Sequence, residues 1–157
     1  MADNKMARAQ QVYQTLCGAL NSREWKYGKD EEELLVHFGV NGDDIPMDFI
    51  IAVDAERQLV RLMSPLNFKM SEEKRMEGAI ATCAVTFGFA DGCFDYDLSN
   101  GRIVFRMTAT YRGSQLGEDI FHYMISCACA MVDKYNDKFL ALDKGIISIS
   151  DFIAKKF

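Results

Sequence analysis

The sequence lacks several features by which common protein classes are recognised. It has no excess of basic residues, because 18 Lys and Arg against 23 Asp and Glu give a formal net charge of −5. Proteins that bind nucleic acids or anionic membranes usually present a basic surface, so both classes are disfavoured. No apolar run approaches the roughly 18 residues of a membrane-spanning helix, and the opening MADNKMARAQ has no apolar stretch typical of a secretion signal. We therefore expect a cytoplasmic protein that binds neither nucleic acid nor membrane.

Motifs for catalysis and cofactor binding are also missing. The sequence contains no P-loop, GxGxxG, HExxH or EF-hand loop, and it has only two histidines. One of them, His122, has Glu118 four residues before it and Ser126 four residues after it, a spacing that permits contacts along a helix. No GxSxG elbow or Gly-rich oxyanion loop accompanies these residues, so a polar strip on a helix is the better interpretation. We predict no catalytic residue, no metal and no cofactor.

The five cysteines do not form a pattern typical of disulfides or of a metal site. Their number is odd and no CxxC is present, which favours reduced thiols. Two of them are two positions apart, and on a helix this spacing directs the thiols to different sides. We therefore expect buried, reduced cysteines that behave as small hydrophobic side chains. They are Cys17, Cys83, Cys93, Cys127 and Cys129.

Hydrophobic periodicity predicts the element order α–ββββ–α–ββ–α–α. The spacing of apolar residues predicts helices over about 4–20, 71–87 and 115–142, with a short helix after Ser148. Strand pairs between helices, without strict βαβ alternation, indicate an antiparallel α+β fold with helices packed on the sheet. No linker or repeat interrupts the pattern, so residues 1–157 are predicted to form a single domain.

The second predicted helix carries an apolar stripe, which we expect to face the sheet. Ser71 is expected to cap the N-terminus of this helix. The stripe consists of Met76, Ala79, Ile80, Cys83, Ala84 and Phe87.

The segment CFDYDLSNGRIVFRMTATY predicts a β-hairpin. Asn100-Gly101 favours a two-residue type I′ turn, because both central residues of that turn need a positive φ. This turn fixes a register in which Phe94 faces Met107, Tyr96 faces Phe105 and Asp95 faces Arg106. Asp95 and Asp97 then lie on the outer face of a strand ladder, with one cross-strand ion pair, and an acid pair for catalysis is disfavoured.

The second half of the chain resembles a known family. The motifs are GxFxYD at 92–97, GxIxFR at 101–106 and DKY at 133–135, with a helix before the first motif and a long helix that contains the last. In these features the chain is similar to the YbjN-type family of bacterial sensory transduction regulators, which is similar in fold to type III secretion chaperones. The resemblance extends over most of the chain, from about Arg23 to Leu142. It implies a small bacterial cytosolic protein that binds another protein and possesses a secretion-chaperone-like fold.

Two functions remain open at this level. The first is a non-enzymatic protein-binding module of chaperone-like or regulatory type, for which nine methionines suit an adaptable contact surface, although they also suit an ordinary core. The alternative is a small-molecule sensor or an unrecognised enzyme, with a pocket between sheet and helices. The polar residues considered for such a pocket are His37, Asp48, Arg61 and Arg106.

The long helix has more apolar surface than one sheet requires. The stripe that runs from Phe121 to Phe139 is enough to cover a sheet, and a second apolar flank remains in the first half of the helix. We predict a protein interface there, with a symmetric homodimer as the partner. The alternative is that the N-terminal or C-terminal helix of the same chain covers this flank. The flank consists of Leu116, Ile120, Tyr123, Cys127 and Ala130.

Overall fold

The computed structural model describes residues 2–157, and the side chains of residues 2 and 3 are not among the described parts. The observed element order is the predicted one. The helices are α1 (Ala2–Ser22), α2 (Arg75–Thr86), α3 (Glu118–Asp143) and α4 (Ile149–Ile153), with a 3-10 turn (Glu72–Lys74) before α2. The strands are β1 (Gly28–Asp30), β2 (Leu35–Val40), β3 (Met47–Asp54), β4 (Leu59–Lys69), β5 (Cys93–Asp97) and β6 (Arg102–Thr110).

The six strands form one antiparallel sheet with the spatial order β1-β2-β3-β4-β6-β5. The 11-residue strand β4 lies near the middle, and α2 occupies the connection between β4 and β5. This arrangement confirms the predicted antiparallel α+β fold. Strand β1 is short and begins at Gly28, whereas β4 continues to Lys69.

The helices cover one face of the sheet. Side chains alternate along the strands, so that Phe49 and Ile51 in β3 are buried while Asp48 of the same strand is exposed. Helix α3 crosses the inner face, and α1 packs beside it. The stripe predicted for α3 is confirmed as buried, and it consists of Phe121, Met124, Ile125, Ala128, Val132, Tyr135 and Phe139.

The predicted inward face of α2 is wrong. The buried residues of this helix are small or β-branched: Gly78, Ala81, Thr82 and Val85. Tyr96 reaches the helix so closely that a Cβ at Gly78 would lie 2.7 Å from its hydroxyl oxygen. The same hydroxyl donates to the carbonyl oxygen of Arg75 at 2.7 Å. A large side chain does not fit against this contact, so the apolar stripe of α2 faces outward instead.

The N-terminus of α2 also differs from the prediction. Ser71 occupies the capping position of the 3-10 turn that precedes α2, and its side chain accepts no capping hydrogen bond, while the N-cap of α2 itself is Lys74. Instead, the Ser71 N–H donates to the Asp143 carboxylate of α3 at 2.7 Å, which fixes the entry to α2 against the end of the long helix.

The predicted hairpin exists, but its turn and register are wrong. Phe94 pairs with Phe105 and Asp97 with Arg102, so the loop contains four residues instead of two. Within this loop only Gly101 has a positive φ, at 76°, whereas a type I′ turn would need one at Asn100 as well. The register is displaced by two residues, and because side chains alternate with a period of two, the apolar residues within the two strands keep their predicted faces. Leu98 is the exception, because it falls in the loop and is 56% exposed. Asp95 and Arg106 still form the predicted ion pair across a diagonal, with Nε and Oδ2 2.6 Å apart.

The same loop closes three of the four hairpins that connect consecutive strands. In each, an aspartate ends the first strand and pairs with the residue five positions later. The aspartate side chain accepts loop N–H groups: Asp30 from Glu32 and Glu33, Asp54 from Arg57, and Asp97 from Ser99. The last loop residue has a positive φ in every case, at Leu34, Gln58 and Gly101. The chain therefore uses one turn design three times.

The first prediction concerns the positive-φ position of this loop. We expect Gly101→Ala to lower the free energy of unfolding by more than about 1 kcal/mol, because an L side chain is strained there and its Cβ would meet the Met70 carbonyl oxygen. Gln58→Gly at the matching position should raise stability by roughly 0.5–1 kcal/mol through relief of the same strain. Urea unfolding of both variants measures the two effects. Equal stabilities for Gly101→Ala and the unaltered chain would contradict the loop geometry.

The second prediction concerns the pH dependence of stability. The Arg106 hydrogen bond lowers the pKa of Asp95 below its usual range. A carboxylate with a lowered folded pKa stabilises the fold above its unfolded pKa of about 4, and this stabilisation is lost as pH falls through the folded value. Both side chains are more than a third exposed, at 41% and 47%, so solvent screening limits the effect to roughly 0.2–1 kcal/mol.

Urea unfolding between pH 7 and pH 3 measures this contribution. Asp95→Asn should be less stable than the unaltered chain at pH 7, and the difference should shrink towards pH 3. Asp44→Asn, at an exposed loop carboxylate, is the matched control and should show no such convergence. Parallel curves for Asp95→Asn and the unaltered chain would show that the ion pair does not stabilise the hairpin.

Candidate protein-binding surfaces

The outer stripe of α2 is an exposed apolar ridge, made of Met76, Ile80, Cys83 and Phe87. Their spacing of four, three and four residues places them on one side of the helix. Met76 is 68% exposed, Ile80 46% and Phe87 94%. Full burial of a side chain of this kind contributes about 1.5–3 kcal/mol, so the ridge holds a large unused driving force for association. None of the four residues carries a charge.

The flank predicted as an interface on α3 is covered in part by the chain itself. Leu116, Ile120 and Cys127 are half-buried and pack against the core. Tyr123 is 50% exposed, and Ala130 is exposed. The Tyr123 hydroxyl donates to the Asp91 carboxylate, and this hydrogen bond raises the pKa of Tyr123. Two of the five predicted residues are thus accessible to a partner, and the flank as an interface stays a prediction.

The His122 ring contacts residues of α1 and is not part of a catalytic group. Its Nε2 lies 2.9 Å from the carbonyl oxygen of Ala19 and 3.4 Å from the Ser22 hydroxyl oxygen. Ser126, one turn further along α3, is exposed. The ring therefore connects α1 to α3, and it does not join Glu118 and Ser126 in a triad.

The four polar residues considered for a pocket all lie on the sheet face that the helices leave uncovered. The register places His37, Ile50, Met63 and Arg106 in one row across the sheet, with Ala52, Arg61 and Thr108 in the next. We call this surface the open sheet face. Its outward residues include Leu35, His37, Asp48, Ile50, Ala52, Arg61, Met63, Pro65, Asp95, Asp97, Arg102, Val104, Arg106 and Thr108.

These positions do not support a pocket between sheet and helices. The inner face of the sheet packs on the helices through fully buried side chains such as Phe49, Leu62 and Phe105. A surface groove of about 560 Å³ lies elsewhere, between α1 and the loop at 113–116. Arg8 lines this groove and donates to the carbonyl oxygens of Tyr111 and Ser114, so its guanidinium is already paired within the chain.

The cysteines are less buried than predicted. Cys83 is exposed on the outer stripe of α2, and the other four are half-buried. Burial raises the pKa of Cys129 to about 11 and also raises that of Cys127. Within residues 2–157, no group of three or more His, Cys, Asp or Glu side chains is placed to hold a metal ion. In the same part of the chain, no helix combines the length and apolar composition that crossing a bilayer requires.

Sequence reasoning missed two accessible surfaces, the outer stripe of α2 and the open sheet face. It assigned the large apolar residues of α2 to the core, although the small residues Gly78, Ala81 and Thr82 on the opposite side could have indicated a tight contact. It also assigned Arg61 to a pocket between the layers. The alternation of β4, in which Val60 and Leu62 are apolar on either side of Arg61, is the signal that places this arginine on the opposite face.

Comparison with known proteins identifies the fold. No protein-family model matches the sequence, and no curated protein matches it. YbjN from E. coli, a candidate transcription regulator, superposes with a TM-score of 0.57 over 78% of this chain and 86% of its own, at 10% identity. A chain of the ExsC–ExsE complex superposes with a TM-score of 0.51 over 80% of this chain and 92% of its own, at 14% sequence identity. A chain of the HopA1–SchA chaperone–effector complex superposes with a TM-score of 0.48 over 87% of this chain and 93% of its own, also at 14% sequence identity. The chain therefore shares its α+β fold with YbjN and with a chain of the ExsC–ExsE complex, as the resemblance seen in the sequence implies.

Proposed function

We propose that this chain is a non-enzymatic protein-binding module of the bacterial cytosol, and that it forms a homodimer through the outer stripe of α2. The observation that carries the proposal is the exposure of Ile80, Phe87 and Met76 along one side of a regular helix. Monomeric proteins seldom leave such a row in water, and an exposed apolar patch commonly marks a contact with another protein.

A second copy of the chain is the occupant that this surface fits best. In a two-fold contact the same patch meets itself, so the patch must be complementary to its own copy. A ridge without charge satisfies this condition, because no like charges are brought together. Lys74 and Glu77, at the start of α2, are paired with each other at 3.0 Å. The exposed Glu72 and Glu73 lie one turn before Met76, at the end of the ridge. Burial of Phe87 from both copies would supply the aromatic centre typical of stable interfaces.

Binding of a further protein is supported by the fold and by the surface. ExsC, whose fold the chain shares, is seen in complex with ExsE. The uncovered sheet face and the half-exposed Tyr123 leave surface for such a partner outside the dimer contact. The cytosolic setting rests on the odd number of cysteines and on the bacterial family that the sequence resembles.

The alternative of a sensor or enzyme is supported less well. It requires polar groups that converge in a concave site between the layers. His37, Asp48, Arg61 and Arg106 lie on the outer face of the sheet instead, and His122 is held by α1. The geometry thus favours contact between protein surfaces over chemistry in a pocket.

The third prediction tests the dimer and its location. The unaltered chain should sediment as a dimer at micromolar concentration, and Phe87→Glu should be monomeric, because the contact would bury an unpaired charge. Phe87 is 94% exposed, so the substitution should not destabilise the fold of the single chain, and the variant should still unfold with the thermal midpoint of an undimerised chain. Tyr123→Glu, at a half-exposed position on α3, is the matched control and should remain dimeric.

Three outcomes decide between the surfaces. Loss of the dimer in Tyr123→Glu but not in Phe87→Glu would move the interface to the flank of α3. Loss in both would extend the contact over both surfaces, which the loop with Asp91 connects. The homodimer would be contradicted if the unaltered chain stayed monomeric from micromolar concentration up to a concentration 100-fold higher. This range corresponds to roughly 2.7 kcal/mol in association free energy.

A further inference from the structure

The open sheet face contains an arginine that the chain itself does not pair. Arg61 lies on β4, near the middle of the sheet, with Ala52 and Thr108 as its cross-strand neighbours. Ile50 and Met63 occupy the next row of the same face. The arginine is half-buried, and its neighbours on this face include the apolar residues Ala52, Ile50 and Met63.

The guanidinium of Arg61 has an unsatisfied donor. Its Nε is buried and has no hydrogen-bond partner among residues 2–157. Arg61 also takes no part in the ion pairs found in that range, whereas Arg106 on the same face is bound to Asp95. A buried donor without a partner is unfavourable, which makes it unusual in a folded protein unless another molecule satisfies it.

The carboxylates of this chain are not placed to pair with Arg61. Asp95 is occupied by Arg106. Asp54 accepts the N–H of Arg57 in the loop between β3 and β4. Asp48 lies four residues from Ala52 along β3, which is roughly 13 Å at about 3.3 Å per residue. The second buried arginine nitrogen, Nε of Arg75, is at the start of α2 and not on this face.

We propose that the open sheet face binds an acidic amphipathic segment of a partner protein, with a carboxylate of that segment bound to Arg61. A carboxylate satisfies a guanidinium with two parallel hydrogen bonds, which a neutral group cannot do. Apolar side chains on either side of the carboxylate cover Leu35, Ile50 and Met63. The face is a flat strip across several strands, so it suits an extended or helical peptide rather than a small molecule.

This surface is separate from the proposed dimer contact. The inner side of α2 packs near Tyr96, on the face of the sheet that the helices cover, and its outer stripe points away from the sheet. A homodimer through α2 therefore leaves the open sheet face accessible. Failure of one proposal does not entail failure of the other, because each is tested by variants on a different face.

The fourth prediction tests the acidic segment. A phage-displayed library of random 16-residue peptides is selected on the full-length chain. The enriched peptides should share an Asp or Glu between apolar residues. One of them, labelled with a fluorophore, should bind the chain carrying Arg61→Gln more weakly by about tenfold or more, because a charge-assisted pair is lost. Its copy with Asn or Gln in place of the acid should bind both proteins equally weakly.

Arg102→Gln, which removes the same charge from an exposed position of β6, is the control and should bind the peptide within about twofold of the unaltered chain.

The thermal midpoint separates recognition from a structural role. Arg61→Gln removes a buried, unpaired donor, so its midpoint should not fall below that of the unaltered chain. The proposal is overturned if the library yields no enriched peptide or peptides without an acid. It is also overturned if Arg61→Gln keeps full affinity, or if the variant unfolds at a lower temperature while its peptide affinity is unchanged.

Discussion

The packing of α3 across the middle of the sheet is the contact on which the other elements depend. The inner side of this helix is buried along its length, from Phe121 to Leu142. Its polar residues hold the loops around it, since Asp133 accepts the N–H of Asp43 and Asp143 accepts that of Ser71. Helix α1 is then positioned beside α3 through His122. Removal of the long helix would expose most of the core at once and leave both the sheet and α1 without a partner.

A single layer of helices explains both candidate binding surfaces. One face of the sheet is covered, so the opposite face is left in water with half-buried apolar residues and with Arg61, Arg102 and Arg106. At the edge of the same layer, Tyr96 reaches the backbone of α2 and admits only small residues such as Gly78. The large side chains of α2 are thereby turned outward. The accessible apolar surface of this protein follows from how its core is filled, without any need for a separate site motif.

The sequence predicts what depends on periodicity and fails where two arrangements share the same period. Alternation in the strands and the helical spacing of α3 identify the element order and the buried stripe, because each has one consistent solution. The hairpin register has two solutions that keep the same faces, and the choice between them depends on the Asp97 side chain, which holds a longer loop. In α2, periodicity locates the large residues, but the close approach of Tyr96 decides their direction. The unpaired Nε of Arg61 depends on the absence of a nearby carboxylate, which no local pattern encodes.

The repeated hairpin loop has a consequence for how the chain folds. Each of its three copies joins strands that are adjacent in sequence, and hairpins of this kind form in about 1–10 μs. The contact between His122 and Ala19, in contrast, joins residues 103 positions apart, and closure of so long a loop is slow because its entropy cost comes before its contacts. We expect the hairpins to be early, independent units, with the docking of α1 on α3 as the late step. In folding kinetics, the φ-value of a mutation is the ratio of its effect on the transition state to its effect on the native state. This order of events predicts high φ-values for mutations at Asp30, Asp54 and Asp97 and low ones for mutations in α1, and the reverse pattern would exclude it. The three aspartates would then determine the route to the native state as well as the shape of its turns.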